Sequence, residues 1–265
     1  MPIITKISVQ QKKTDRYNIF LDEKYAFSVD EDVLIKHQLI KGMELDDFLL
    51  SEIGYQDDIR KAYNLAIQHL AKRMRSEKEV RQSLAEKEFD DVIIQEVILK
   101  LYEFHFLNDE EFALAFVRTQ LNTTEKGKET VKRELREKGI SANFIERALQ
   151  EYPSEAEHIK ALSLAEKFVK KNKNDSSKIM KQKLDQLLIR KGFSRATIKT
   201  AIMETEMDKT ENEELAAIRK HAEKAHHKYS GLPTFEYEQK MKQALYRKGF
   251  SFELIEQVIN DYRDQ

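Results

Sequence analysis

The sequence predicts a mainly α-helical protein: tandem three-helix repeats stacked into an elongated, curved array and preceded by a small antiparallel β-sheet. Three observations predict it. Charged residues make up 35% of the 265 positions against 40% hydrophobic, with 7 Gly and 3 Pro, a balance that suits long solvated helices carrying one apolar stripe each. A two-residue alternation of apolar and polar side chains occupies the first 57 residues or so. Beyond it, one skeleton of apolar residues, break and cap recurs four times, the signature of a repeat architecture.

In the first 57 residues, Ile7 and Val9, then Tyr17, Ile19 and Leu21, then Tyr25, Phe27 and Val29 alternate with polar neighbours, the period of half-buried strands. Turns at Lys12-Lys13-Thr14-Asp15 and at Asp22-Glu23 would join three strands into a meander, although neither has the strong Asn-Gly chemistry. A short helix is expected next, capped by Asp30 or Asp32 and ended near Lys41-Gly42.

The repeats follow. In the second copy Val131 and Leu135 precede Gly139, Ile140 and Ser141, then Phe144-Ile145 and Ala148-Leu149. The third has Leu184, Leu188, Gly192, Phe193, Ser194, Ile198 and Ile202 in the same register, and the fourth has Met241, Leu245, Gly249, Phe250, Ser251, Ile255 and Ile259. The first is more diverged, with Val80, Leu84, Glu88, Phe89, Asp90, Ile94 and Ile98. Glycine at the break closes one helix in the left-handed conformation, and Ser or Asp two residues later caps the next. Glu88 lacks that freedom, so the first copy is expected to turn differently. A third apolar stripe lies upstream of each pair, such as Ala62, Tyr63, Ala66 and Leu70, or Ala161, Leu164, Ala165 and Phe168. The units are therefore placed at 58–107, 108–153, 154–207 and 208–265. Their periods, 51, 53 and 57 residues from Leu84 to Leu135 to Leu188 to Leu245, are expected to differ in loop length. A bundle of this size buries little alone, hence the expectation of stacking, with the sheet covering one end.

Enzyme signatures are missing: there is no Gly-rich phosphate loop, no His-Glu-x-x-His and no Gly-x-Ser-x-Gly, so no catalytic residue, no cofactor and no enzymatic activity is expected. His221, His226 and His227 are the only candidate metal ligands, and their spacing aligns imidazoles poorly on a helix; no metal is expected. Asn108-Asp109-Glu110-Glu111 reads as a helix cap followed by acids. Cysteine is absent, which leaves no disulfide or thiolate site. The start of the chain has no long apolar segment, and Val92-Ile93-Ile94 is far too short to span a bilayer; a cytoplasmic, membrane-free protein is expected.

The formal charge of −1 excludes a uniformly basic nucleic-acid binder. Its distribution is polarised. Glu44 to Asp58 holds six acids and no base, and Glu166 to Lys191 holds nine bases against three acids. That second run, with Lys170, Lys171, Lys181, Lys183, Arg190 and Lys191, exceeds what internal pairing absorbs and suits contact with phosphate or an acidic surface. Lys126, Lys128, Lys132, Arg133 and Arg136 form another basic segment; it reads either as a solvated helix with internal ion pairs or as a loop, Lys126-Gly127-Lys128, that meets phosphate or acidic protein. Lys72, Arg73 and Arg75 form a third cluster at a helix end, where bases are favoured in any case.

Leu70-Ala71-Lys72-Arg73-Met74-Arg75-Ser76-Glu77-Lys78-Glu79-Val80, followed by Phe106-Leu107-Asn108-Asp109-Glu110-Glu111-Phe112-Ala113, closely resembles RecX proteins. So do Phe116-Val117-Arg118, Lys126-Gly127-Lys128 and Glu134-Leu135-Arg136-Glu137-Lys138-Gly139-Ile140, in that order. The specific motifs cover residues from about 60 to 150, and the later repeats continue the likeness more loosely. Two departures stand out, Asn108 where the family usually carries Asp and Glu88 where Gly is common. The resemblance implies a cytoplasmic bacterial modulator of RecA, acting in DNA recombination and repair. It would engage the RecA filament on DNA and limit strand exchange and coprotease activity by occlusion, as a monomer, with Arg118 joining the basic contact candidates. The alternative is a nucleic-acid-binding helical-repeat protein that acts alone.

Overall fold

The computed structural model describes residues 1–11, 14–207 and 209–263. Three strands, β1 (Ile4–Val9), β2 (Arg16–Leu21) and β3 (Lys24–Asp30), form an antiparallel sheet in the order β1-β2-β3, with Ile7 opposite Ile19 and Ile19 opposite Phe27. Part of the expected turn at Lys12–Asp15 lies outside the described residues. At the other turn both Asp22 and Glu23 take positive φ, 48° and 69°, the twist that a two-residue hairpin needs. Their backbone cost is offset by neighbours: Asp22 accepts from the Ile3 amide, and Thr5 Oγ1 accepts from the Glu23 amide. The alternation is imperfect: Val9, at the end of β1, and Tyr25, beside the register shift at Phe20, are exposed.

The helix that follows, α1 (Glu31–Lys36), is capped by Asp30 and closes at His37, well before Lys41-Gly42. The next, α2 (Asp47–Leu70), runs through position 57 without a break. Its first half contributes Ile53 to a core with Ile4, Ile19, Val29, Val33, Leu39 and Leu45. Its second half contributes Ile59, Ala62 and Ala66 to the core of the first module. Asp57 sits at the change-over and is buried. Both its oxygens accept from Arg16, at 3.1 and 2.8 Å, the Asp30 amide donates at 2.8 Å, and Lys61 lies at 3.0 Å. The acid-rich stretch from Glu44 to Asp58 is therefore not a continuous exposed patch: Asp57 is consumed by the core, and Asp46 caps α2 by accepting from the Leu49 amide.

Four three-helix modules follow. The first combines α2 with α3 (Glu77–Ala85) and α4 (Asp91–Glu103); the second is α5 (Asp109–Thr123), α6 (Lys128–Glu137) and α7 (Ala142–Leu149). The third is α8 (Ser154–Lys171), α9 (Ser177–Lys191) and α10 (Arg195–Glu204), and the fourth α11 (Glu211–Tyr229), α12 (Thr234–Tyr246) and α13 (Phe252–Arg263). The third and fourth have separate cores, around Met180, Leu184, Leu188 and Ile198, and around Ile218, Met241, Leu245 and Ile255. By packing, the chain forms two compact units: Met1–Ala113 with Glu137–Phe144, and Leu114–Arg136 with Ile145–Gln265.

Two expectations about the repeats are corrected. The spacing differences do not lie in loops alone: α9 and α12 each start eleven residues before the anchoring Leu188 and Leu245, whereas α3 and α6 start seven before Leu84 and Leu135, so the later modules carry one extra helical turn. The first copy also turns as the others do. Glu88 takes φ +62° where Gly139, Gly192 and Gly249 take +81°, +80° and +79°, and the Phe89 amide returns to the Leu84 carbonyl as that of Phe193 returns to Leu188.

Candidate functional site

Each second helix begins with amides that have no partner inside the helix. In the joints between modules, the following module supplies one. Within the first unit, Asp109 Oδ1 accepts from the Glu77 amide at 2.8 Å. Within the second unit, Glu157 Oε1 accepts from the Lys128 amide at 3.0 Å, and Glu214 Oε1 from the Ser177 amide at 2.9 Å. The same helix start lies on the glycine turn of the following module: Lys78 Nζ donates to Glu137 O, Gly127 N to Lys191 O, and Ser176 Oγ to Lys248 O, at 2.9, 2.8 and 2.6 Å. A Cβ at Gly139 would stand 2.9 Å from Lys78, one at Gly249 2.7 Å from Ser176 and Ile179, and one at Gly192 would overlap Thr130. Glycine is thus required at three turns both by backbone conformation and by close approach. Glu88 is exposed on its turn. Its side chain has room, and only the backbone cost remains.

The Lys126-Gly127-Lys128 segment is built into such a joint. A Cβ at Gly127 would overlap the Gly192 carbonyl, and the Glu129 amide donates to Gly192 O at 3.0 Å. Tyr152, almost fully buried, donates its hydroxyl to Lys126 O at 2.7 Å; burial and the nearby Glu157 carboxylate push the phenol up to about 12. Glu157 is buried and also accepts from Thr197 Oγ1 at 3.1 Å. Lys126 pairs with Glu134 at 2.6 Å, and Lys128 reaches Ser154 Oγ at 3.3 Å and lies over the Tyr152 ring. Lys160 donates to the carbonyls of Gln120 and Thr124, closing the end of α5, and burial lowers its ammonium below the ordinary value.

The other basic candidates divide in two. Several are held by partners: Arg118 by Glu151 through two of its guanidinium nitrogens, Arg73 by Glu79 at 2.9 Å, and Lys183 by Asp175 at 2.7 Å. Arg133 approaches Thr130 Oγ1 at 3.4 Å, and Lys181 is half-buried in α9. Arg75 is half-buried, with a buried Nε that meets no acceptor among the described residues. Arg75, Lys72 and Arg73 surround His69, whose imidazole is lowered first by burial and then by those three charges. By contrast, among the described residues no hydrogen bond or ion pair engages the side chains of Lys132, Arg136, Lys170, Lys171, Arg190 and Lys191, all in the second unit. Four of these occupy the last turns of α8 and α9, where they also complement the helix dipole. Lys191 reaches the joint at Gly127. There the Glu125 carboxyl is held below its usual range by a hydrogen bond from Lys167, reinforced by Lys191 and Lys160.

Asn108 caps α5, its Oδ1 accepting from Glu110 and Glu111 at 3.1 Å each. The histidines are turned to separate tasks: His221 contacts Asn174 O and the Phe250 ring, His226 stacks on Tyr262 and bonds to Tyr237, and His227 is exposed. No helix among the described residues is long and apolar enough to cross a membrane.

Family models cover the chain almost end to end. The regulatory protein RecX N-terminal domain matches residues 2–46, the first RecX three-helix domain 62–101 and the second 108–149; the third matches twice, at 157–202 and 212–259. The fourth module is therefore a second copy of the third type, consistent with the extra turn they share. The likeness extends beyond the stretch from 60 to 150 that carries the plainest motifs, and includes the strand-rich start. The chain is similar to the regulatory protein RecX of Bacillus subtilis, 48% identical over 261 residues, which span 98% of this chain and 99% of the relative. It is 42% identical to that of Bacillus cereus over 269 aligned positions, which cover 100% of each chain. A crystal structure of a regulatory protein RecX matches with a TM-score of 0.69 at 34% identity, over 77% of this chain and 100% of the other. With its sheet, its modules and nearly its whole length matched in this way, the chain belongs to the RecX family of regulatory proteins.

Proposed function

We propose that the protein binds the RecA filament on DNA and restrains recombinase and coprotease activity by occupying surface rather than by catalysis. The observation that supports this reading is the group of basic side chains in the second unit, Lys132, Arg136, Lys170, Lys171, Arg190 and Lys191, which make no hydrogen bond or ion pair among the described residues, although the charge of Lys191 also acts on Glu125. A cation held in no ion pair is available for phosphate or for a carboxylate surface at little desolvation cost. Several such contacts spread over one chain add through effective concentration, so each can be weak.

The test is a titration of RecA's DNA-dependent ATP hydrolysis. Wild type lowers it at or below equal amounts, and reversal of the six residues to Glu shifts the inhibitory concentration upward by on the order of tenfold or more. Lys126 and Lys128 are left in place because they belong to the Gly127 joint. No effect of the wild type across the titration defeats the reading. The excess of bases between Glu166 and Lys191 favours a second one, direct binding to DNA without RecA. Strongly salt-sensitive DNA binding by the protein alone, lost with the same six reversals, would favour it.

A further inference from the structure

The first unit holds a cavity of about 410 Å³ between α1, α2 and the end of α4, toward the small end of ligand-pocket volumes. Val33, Ile59 and Tyr63 form its floor and wall, and Phe104 and Phe106 stand at its edge. These two rings are 58% and 53% exposed, although a helix terminus has no need of two phenylalanines facing water. They are presented by a turn in which His105, between them, takes φ +58°. Bonds from the His105 amide to Tyr102 O and from the Phe106 amide to Leu101 O, at 3.0 and 2.9 Å, hold that turn closed. A left-handed non-glycine residue is costly, and here it aims two aromatic rings at one cavity.

Charge at the rim is lopsided. Arg60 is already neutralised by Asp30 and Asp32 and lies over the Tyr63 ring. Among the described residues Lys36 meets only the Gln56 side chain, at 3.0 Å, and Lys100 has no hydrogen bond or ion pair. Two uncompensated ammonium groups therefore stand beside an apolar, aromatic-walled hollow. A nucleic-acid strand would want a row of cations tracking its backbone and an open ring face; this site offers a concave pocket with Asp32 in its lining. The chemistry that fits both halves is an apolar anchor between flanking carboxylates.

We propose that this pocket receives an acidic segment of a partner protein, one aromatic or large aliphatic side chain entering between Phe104, Phe106 and Tyr63 while neighbouring carboxylates meet Lys36 and Lys100. The proposal makes no use of the basic residues of the second unit and stands or falls independently of them.

The experiment uses the full chain and a fluorescein-labelled peptide with one Phe flanked on each side by three Asp, followed by anisotropy. Saturation below about 1 mM is expected. Replacing the peptide's Phe with Ser, or its Asp with Lys, weakens binding by on the order of tenfold. The K36E/K100E double variant, checked for unchanged thermal unfolding, loses the acidic peptide and gains the lysine-flanked one. That swap of preference is a result misfolding cannot produce. No saturable binding, equal binding of the Ser peptide, or indifference to K36E/K100E overturns the proposal. So does displacement of the peptide by oligothymidylate, which assigns the pocket to nucleic acid. Sedimentation showing wild-type self-association that K36E/K100E abolishes also overturns it, by assigning the pocket to a second copy of this chain.

Discussion

Gly127 and Gly192 meet backbone to backbone: the turn that ends α9 lies against the residue that opens α6, so closely that neither position has room for a Cβ. At the other two joints the glycine turn meets side chains instead: Gly249 lies against Ser176 and Ile179, and Gly139 against Lys78. The glycine that closes each helix is also the seat of the preceding module.

Gly192→Ala is therefore expected to destabilise by about 2–4 kcal/mol, since it adds overlap with the Thr130 backbone to left-handed strain. Gly42→Ala is the control. Gly42 takes φ +92° with nothing within 4 Å of a Cβ, so it should lose only about 1 kcal/mol. Urea unfolding of the two variants checks the difference, and equal losses would mean that close approach contributes nothing.

Glu88→Gly should act in the opposite direction. Glu88 is held at φ +62° on an exposed turn, so glycine relieves strain without removing a contact; a gain of about 0.5–1 kcal/mol is expected. A loss in thermal unfolding would show that the Glu88 side chain has a role in the fold.

Acid sensitivity centres on Glu79. Burial pushes its carboxyl up, but hydrogen bonds from Lys138, Arg73 and the Ser76 amide outweigh that and hold it down at about 2. A carboxyl whose folded value is depressed contributes its stability above the unfolded value, near 4.5, and loses it as pH falls toward 2. Its side chain is about one-fifth exposed, so the contribution is roughly 2 kcal/mol rather than the full linkage value. Glu79→Gln should lower the melting temperature at pH 7 and narrow the gap to wild type at pH 3; a constant gap from pH 7 to pH 2 would contradict this.

Breaking the Arg16–Asp57 pair should be costly because both partners are buried. Asp57→Ala leaves the buried Arg16 charge without a carboxylate, keeping only its bonds to Ser28, and removes the acceptor of the Asp30 amide, a loss of about 3–5 kcal/mol. Replacing both residues, Arg16→Met with Asp57→Leu, should recover much of it. Hydrogen exchange in β2 and β3 reads the effect locally, and a double variant as weak as the single one would count against this account.

The modules were legible because each depends on neighbours close in sequence. Leu188, Gly192 and Ser194 define a helix end, a left-handed turn and a cap from their own chemistry, and Asn108 caps α5 as its residue type demands. The strands were legible in outline, while the register shifts near Lys6 and Phe20 were not, because a register shift is decided by pairing between strands. Lys126-Gly127-Lys128 left two readings open for a related reason. A glycine between lysines looks the same whether it will meet a phosphate or its own chain's backbone.

What the sequence determined by itself is the helical repeat, its caps and its glycine turns, since those follow from interactions a few residues apart. What only the tertiary structure decided is the use of Asp109, Glu157 and Glu214, three acids 29 to 37 positions away from the amides they accept. It also decided which lysines are consumed by joints and which remain available. A carboxylate's partner depends on where docking brings it, and docking is the sum of packing across whole helices, which no local pattern contains.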